Sequence, residues 1–187
     1  MINAAIFASG EGTNAENIIK HFTNDPRIKI KLVITNRDDA GVIARAEKYR
    51  KNVQIIGKEA LNDYSEKIIE FLKTEKIDLI ILAGFLLKIP EAFVKAFPNK
   101  IVNIHPALLP KYGGKGMYGM NVHKAVIENK ETESGISIHF VNEEYDKGEM
   151  ILQQKCKVDA GDNAETLAQK IRELEHEYFP KAIEKLL

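Results

Sequence analysis

The chain has 187 residues, 44% of them hydrophobic and 29% charged, the balance of an ordinary soluble globular domain with enough length for a full core. Lys and Arg number 27 against 27 Asp and Glu, so bulk charge does not favour nucleic acid and a small substrate is the easier expectation. The single Cys156 excludes an internal disulfide and a cysteine zinc cluster, the five histidines show no H-x-H or H-x-x-x-H spacing, and the apolar start Ile2–Ala8 is too short for a membrane span. A cytoplasmic protein without a metal is expected.

Ile2–Ala8 reads as a first strand, and the S-G-E-G-T-N after it as a tight turn into a helix capped by Thr13 or Asn14 and running to about Phe22. Such a turn presents backbone amides and the positive end of a helix, a ready anion site. Gly10, Gly12 and Ala15 fit the dinucleotide pattern G-x-G-x-x-G/A, which also asks for an acidic residue closing the second strand. That strand, Lys29–Thr35, ends in Asn36 and Arg37 with Asp38 one place later, so a dinucleotide, a single phosphate and a plain turn all stay open. A helix is predicted over Ala40–Tyr49, a short strand at 53–56, and a longer helix over Leu61–Thr74 with Ile68, Ile69, Phe71 and Leu72 inward. Ile77–Ala83 is an almost unbroken apolar run, as in a central parallel strand buried on both faces, and Pro90 opens a short helix to Phe97.

Lys100–Lys111, K-I-V-N-I-H-P-A-L-L-P-K, is the most informative stretch. Ile101, Val102 and Ile104 predict a buried strand, and Pro106 ends it. Strand alternation points Asn103 and His105 to one side. A carboxamide can donate to a developing oxyanion and an imidazole can move a proton near neutral pH, which suggests acyl-type chemistry. A turn-forming asparagine and a structural histidine are the plain alternatives. Five strands alternating with helices predict a doubly wound, Rossmann-like, mostly parallel α/β sheet with helices on both faces. Ligands bind such sheets beyond the carboxyl ends of the strands, where Gly10–Asn14, Gly84–Ile89 and Asn103–Pro106 fall.

The four glycines at 113, 114, 116 and 119 predict a mobile loop, either a lid or an ordinary connection. A helix from about Gly119 to Glu128 carries His123. G-I-S-I-H-F-V then alternates as a strand with His139 near its end, N-E-E-Y-D-K-G forms a charged turn, and M-I-L-Q-Q-K-C-K-V returns, a C-terminal antiparallel hairpin that makes the sheet mixed. Asp146 in that turn is either a solvated turn former or a carboxylate folded over an imidazole, raising its pKa. Asn163–Leu187 is a final amphipathic helix with Leu167, Ile171, Leu174 and Tyr178 inward, interrupted or kinked at Pro180.

Taken together, N-I-H-P-A-L-L-P-K-Y, S-G-E-G-T-N, L-A-G-F-L, S-I-H-F-V-x-x-x-Y-D-x-G and I-L-Q-Q resemble the phosphoribosylglycinamide formyltransferases, folate-dependent enzymes of purine biosynthesis, over essentially the whole chain. The resemblance implies one formyltransferase domain over 1–187, with 1–98 a phosphate-binding Rossmann-like half and 99–187 a catalytic and folate-binding half. It implies direct transfer of a formyl group from 10-formyltetrahydrofolate, as cosubstrate, to the amine of 5-phosphoribosylglycinamide, with no formyl-enzyme and no metal. Asn103, His105 and Asp146 match the catalytic trio, with Asn103 and His105 on the oxyanion and His105 an acid whose pKa Asp146 raises. His139 supports them. Gly12, Thr13 and Asn14 match the substrate phosphate loop, and Glu175 a carboxylate on the ribose hydroxyls. Leu86, Leu87, Lys88 and Ile89 match the folate wall together with Asn103, and Glu143 and Glu144 belong to the loop closing on the pteridine. The partners implied are these small molecules, with no nucleic acid or membrane, in a monomer or homodimer.

The chain departs from the family at Leu87, where many members carry Arg, in the longer glycine-rich stretch 111–120, and in lacking a match for an arginine some members use early in the third helix region. A methionyl-tRNA formyltransferase would have a further carboxyl-terminal RNA-binding domain and a basic surface. A formyltransferase acting on another small amine such as an amino-sugar nucleotide, and a non-catalytic nucleotide-binding Rossmann module, are the other readings.

Overall fold

The computed structural model describes all 187 residues. Its strands are β1 (Ile2–Phe7), β2 (Ile28–Thr35), β3 (Asn52–Ile55), β4 (Leu79–Leu82), β5 (Ile101–His105), β6 (Glu133–Phe140) and β7 (Met150–Lys157). They form one mixed, mostly parallel sheet in the order β3-β2-β1-β4-β5-β6-β7. The chain divides into two compact units, Met1–Asn103 with Leu187, and Ile104–Leu186.

In the first unit β1 lies parallel between β2 and β4, β3 adds to β2, and the start of β5 adds to β4 with Asn103 opposite Leu82. Ala4, Ala5, Ile6, Phe7, Val33, Ile34, Ile80 and Ile81 are fully inaccessible to solvent. Burial on both faces explains why β4 and the second half of β2 read as unbroken apolar runs, while the start of β2 alternates with Lys29 exposed. Around them run α1 (Thr13–His21), α2 (Val42–Lys48), α3 (Lys58–Asp63), α4 (Ser65–Thr74) and α5 (Glu91–Ala96). The helix expected over 61–74 is in fact two. The Ser65 hydroxyl donates to the carbonyls of Leu61 (2.7 Å) and Asn62 (2.9 Å), satisfying the end of α3 and breaking the chain into a new helix. The re-phased α4 buries Ile69 and Leu72, while Phe71, expected inward, is exposed.

In the second unit β6 and β7 form the antiparallel hairpin, and α6 (Met120–Glu128) packs against α7 (Ala164–Glu184). Asn163 and Thr166 form a reciprocal capping box that starts α7. The interruption expected at Pro180 does not occur, and α7 runs through it as one helix. An interior proline costs about 3 kcal/mol, whereas burying one large apolar side chain returns about 1.5–3 kcal/mol. Here Phe179, Ala182 and Ile183 beside it are all fully buried. Phe179, not Tyr178, supplies the inward aromatic ring. No helix is long and apolar enough to cross a membrane.

Candidate active site

The first unit supplies a turn built from backbone. Beyond β1, the Ser9 amide donates to the Gly84 carbonyl (3.0 Å), the Ser9 hydroxyl donates to Asn36 Oδ1 (2.5 Å), and the Leu86 amide donates to that same hydroxyl (2.9 Å). One serine thus joins the ends of three strands. Gly12 is the N-cap of α1 at φ 73°, and a Cβ there would lie 2.5 Å from the Val42 side chain, so both conformation and space demand glycine. Thr13 and Asn14, expected as caps, are the first two helical residues, and α1 begins without a side-chain cap. The turn is held from below. Glu16 is engaged by Arg45, by the Tyr49 hydroxyl (3.2 Å) and by Lys48 (3.4 Å), and Arg45 Nε donates to the Glu11 carbonyl at 2.7 Å. Burial alone would raise the Glu16 carboxyl, but these partners overcome it and bring it to about 2.

A dinucleotide reading would want a free carboxylate at the end of β2. Asn36 stands there instead, committed to Ser9; of the two carboxylates beyond it, Asp39 is bound by Arg37 at 2.7 Å and Asp38 is exposed. Beyond β4, Leu86 and Lys88 are exposed, Leu87 is half-buried, and Ile89 is in the core.

The second unit supplies a cluster built from side chains. His105 ends β5, His139 lies near the end of β6, and Asp146 sits in the turn before β7. Asp146 Oδ2 lies 3.7 Å from His105 Nδ1, and Asp146 Oδ1 lies 3.6 Å from His139 Nε2. The carboxylate therefore stands between two buried imidazoles. The opposite nitrogen of each ring faces a backbone carbonyl: His105 Nε2 and Tyr112 O are 2.7 Å apart, as are His139 Nδ1 and Phe140 O. A carbonyl oxygen only accepts, so each of those nitrogens carries the hydrogen. In the neutral rings the nitrogens left bare are the two that face Asp146. Any proton entering the cluster is held between this carboxylate and one of these nitrogens.

The turn is shaped for the purpose. Asp146 has φ 54°, a left-handed conformation uncommon outside glycine, and the Gly114 amide donates to its Oδ2 at 2.8 Å. A Cβ on Gly148 would sit 1.7 Å from the Phe140 carbonyl oxygen, so only glycine lets the turn fold onto the end of β6. Burial alone would raise the Asp146 carboxyl, but His139, the Gly114 amide and the charge of His105 hold it below the usual carboxylate range. For His105 the net direction is the reverse of the expected one. Burial lowers it below the ordinary histidine value, and the upward pull of Asp146 and the Tyr112 carbonyl does not restore it.

Several groups were not legible beforehand. The Ser137 hydroxyl donates to the Ala107 carbonyl (2.7 Å) and accepts from the Leu109 amide (3.0 Å) and from Gln153 Nε2 (2.9 Å), fixing the chain just beyond His105. A polar residue at a fully buried position of an alternating strand was the available signal. The Tyr112 carbonyl had none. Of the remaining candidates, Asn103 lies two residues before His105 on β5, Glu143 and Glu144 are exposed with Glu144 paired to Lys147, and Glu175 is half-buried on α7. The glycine-rich stretch enters the cluster through Gly114.

A half-buried carboxylate between two buried imidazoles of fixed tautomer, on a doubly wound sheet, is equipment for moving a proton. Residues 2–183 match the family model described as formyl transferase. The phosphoribosylglycinamide formyltransferase of Haemophilus influenzae is 35% identical over 98% of this chain and 86% of its own length. The chloroplastic enzyme of that name from Arabidopsis thaliana is 39% identical over 96% of this chain. The crystal structure of glycinamide ribonucleotide transformylase 1 from Geobacillus kaustophilus superposes with a TM-score of 0.91 at 31% identity, covering 100% of this chain and 99% of that one. The chain spans only 63% and 60% of the lengths of its Arabidopsis and Vigna unguiculata relatives. It belongs to the formyl transferase family, in the branch of the phosphoribosylglycinamide formyltransferases.

Proposed function

We propose that this chain transfers a formyl group from 10-formyltetrahydrofolate to the amine of 5-phosphoribosylglycinamide, giving formylglycinamide ribonucleotide and tetrahydrofolate. The observation that carries the reading is Asp146 held between the bare nitrogens of His105 and His139, on a chain similar to enzymes of that name. The substrate amine attacks the formyl carbon, a C–N bond forms, and the carbonyl electron pair moves onto oxygen. Asn103 donates to that oxyanion. The amine proton passes to His105 Nδ1, and Asp146 stabilises the imidazolium so formed. The protonated Nδ1 is then a second donor to the oxyanion. Collapse of the intermediate breaks the bond to the folate nitrogen, which receives the proton from His105 through water. A lowered His105 suits this cycle, because the ring starts as a base and becomes an acid only after attack.

His139, 3.6 Å from the other oxygen of Asp146, supports the trio by fixing that carboxylate. The amides opening α1 at Gly12, Thr13 and Asn14 take the ribose phosphate, where the partial positive charge of a helix start favours an anion. Glu175 accepts from the ribose hydroxyls. Leu86, Leu87, Lys88 and Ile89, with Glu143 and Glu144, take the folate. The protein acts as a soluble enzyme on small molecules, as a monomer or homodimer.

The test is to incubate the protein with both substrates and follow the product by mass spectrometry. Formylglycinamide ribonucleotide is the expected product. Formylation of an amino-sugar nucleotide instead would keep the chemistry and change the acceptor. Transfer to neither, together with thermal stabilisation by NAD, would replace the reading with a nucleotide-binding module.

A further inference from the structure

His105 owes its tautomer to the Tyr112 carbonyl, so whatever fixes that carbonyl fixes the side of the imidazole that meets Asp146. Tyr112 adopts φ 56°, in the left-handed region that a bulky side chain leaves unless its surroundings hold it there. Tyr112 lines a cavity of about 190 Å³ together with Leu108, Val126, Glu131 and Ser134, so one side of it meets open space. The tip of its ring is tied by hydrogen bonding. The Tyr112 hydroxyl donates to Glu131 Oε1 at 3.0 Å, and Lys111 Nζ grips both oxygens of the same carboxylate at 2.9 and 3.1 Å. Glu131 is itself set by the turn between α6 and β6, where its amide donates to the Val126 carbonyl at 3.2 Å.

We propose that Glu131 is a positioning residue for the reaction. Through the Tyr112 hydroxyl it pins the left-handed backbone at 112, and the pinned carbonyl holds His105 in the Nε2–H form with Nδ1 bare toward Asp146. Glu131 acts here only through Tyr112, without touching His105 itself. The proposal rests on the formyl-transfer reading for its kinetic consequences, but its structural content stands without it. Lys111 is two-thirds exposed and its pairing is screened by solvent, so the Tyr112–Glu131 bond is the decisive member.

The test uses Tyr112→Phe and Glu131→Leu, each of which removes the bond between the two side chains, in the full chain, with Glu133→Gln as control, since Glu133 is an exposed neighbouring carboxylate paired with Lys155. Two readouts are taken, side-chain 15N NMR of His105 and steady-state kinetics. In the wild type and the control, His105 shows the Nε2–H tautomer. In both clamp variants the expected result is a mixture of tautomers, kcat lower by about tenfold, the worth of one hydrogen bond, and KM for both substrates unchanged. Thermal melts separate this from unfolding, and only variants that stay folded at the assay temperature are compared. A single unchanged Nε2–H tautomer in both folded variants overturns the clamp, and so does a tautomer mixture with wild-type kcat. A wild type with the Nε2–H tautomer, lost in both variants, but with no formyl transfer at all, would confirm the clamp and sink the reaction assignment.

Discussion

The turn after β1 and the turn before β7 prepare chemistry by opposite means. The first offers backbone: a glycine at φ 73° opening an uncapped helix, braced from behind by Glu16 and Arg45. The second offers side chains: a carboxylate and two imidazoles drawn from β5, β6 and the turn, each ring locked by a carbonyl. The difference teaches what substitution can do to each. A backbone site is insensitive to side-chain identity except where a Cβ will not fit. A side-chain site fails when a single atom type changes.

The sharpest break is Asp146→Asn, which keeps the shape and removes the charge. Turnover is expected to fall ~100- to 10,000-fold, the range for loss of a general acid–base group, with only a modest fall in melting temperature from the lost carboxylate charge. Next comes Asn103→Ala, where loss of the oxyanion donor proposed above should lower kcat ~100-fold with little change in KM. In the backbone region the expected damage is to stability. Gly12→Ala forces a Cβ into Val42 at a positive φ and should cost about 1–3 kcal/mol in urea unfolding, with a raised KM for the phosphorylated substrate. The smallest effect is Gly10→Ala, where an added Cβ meets nothing within 4 Å, and the same denaturation should stay within ~0.5 kcal/mol of wild type.

Acid sharpens the contrast further. Glu16 falls from 4.5 to about 2 on folding, so it contributes stability that is complete above pH 4.5 and lost as pH drops toward 2. His105 is lowered from 6.5 by burial, so the unfolded chain protonates first and the loss begins as pH falls below 6.5. Acid denaturation of Glu16→Gln should show a smaller lower step, since Asp25 and Asp162 are lowered over the same range, and an unchanged upper one.

What the sequence disclosed follows the same division. Asn103 and His105 were readable as a pair because one strand of period two carries both, and Gly12 because the turn at that position needs a glycine, whereas Gly10 turns out not to be required. The parallel core was readable because strands buried on both faces are continuous apolar runs. Asp146 and His139 belong to separate segments, and nothing in N-E-E-Y-D-K-G distinguishes a solvated aspartate from one folded over imidazole. Only resemblance to a family joined them in advance. Glu16 and Arg45 lie on different helices, and the Tyr112 carbonyl is backbone, so neither leaves a mark in composition. The direction of the His105 shift also lay out of reach, since Asp146 and burial oppose each other and only geometry decides which wins. The break at Tyr64 turned on one serine hydroxyl that happens to reach the carbonyls behind it.

The most direct test of Asp146 as the partner of a His105 that begins as a base is the pH dependence of kcat/KM for wild type and Asp146→Asn. The wild-type rate should fall in acid with a limb below the ordinary histidine value. In Asp146→Asn the rate should be ~100-fold lower or worse, and the limb should move further toward acid, because the charge that pulls His105 upward is gone. Superimposable profiles from the two proteins would contradict the account.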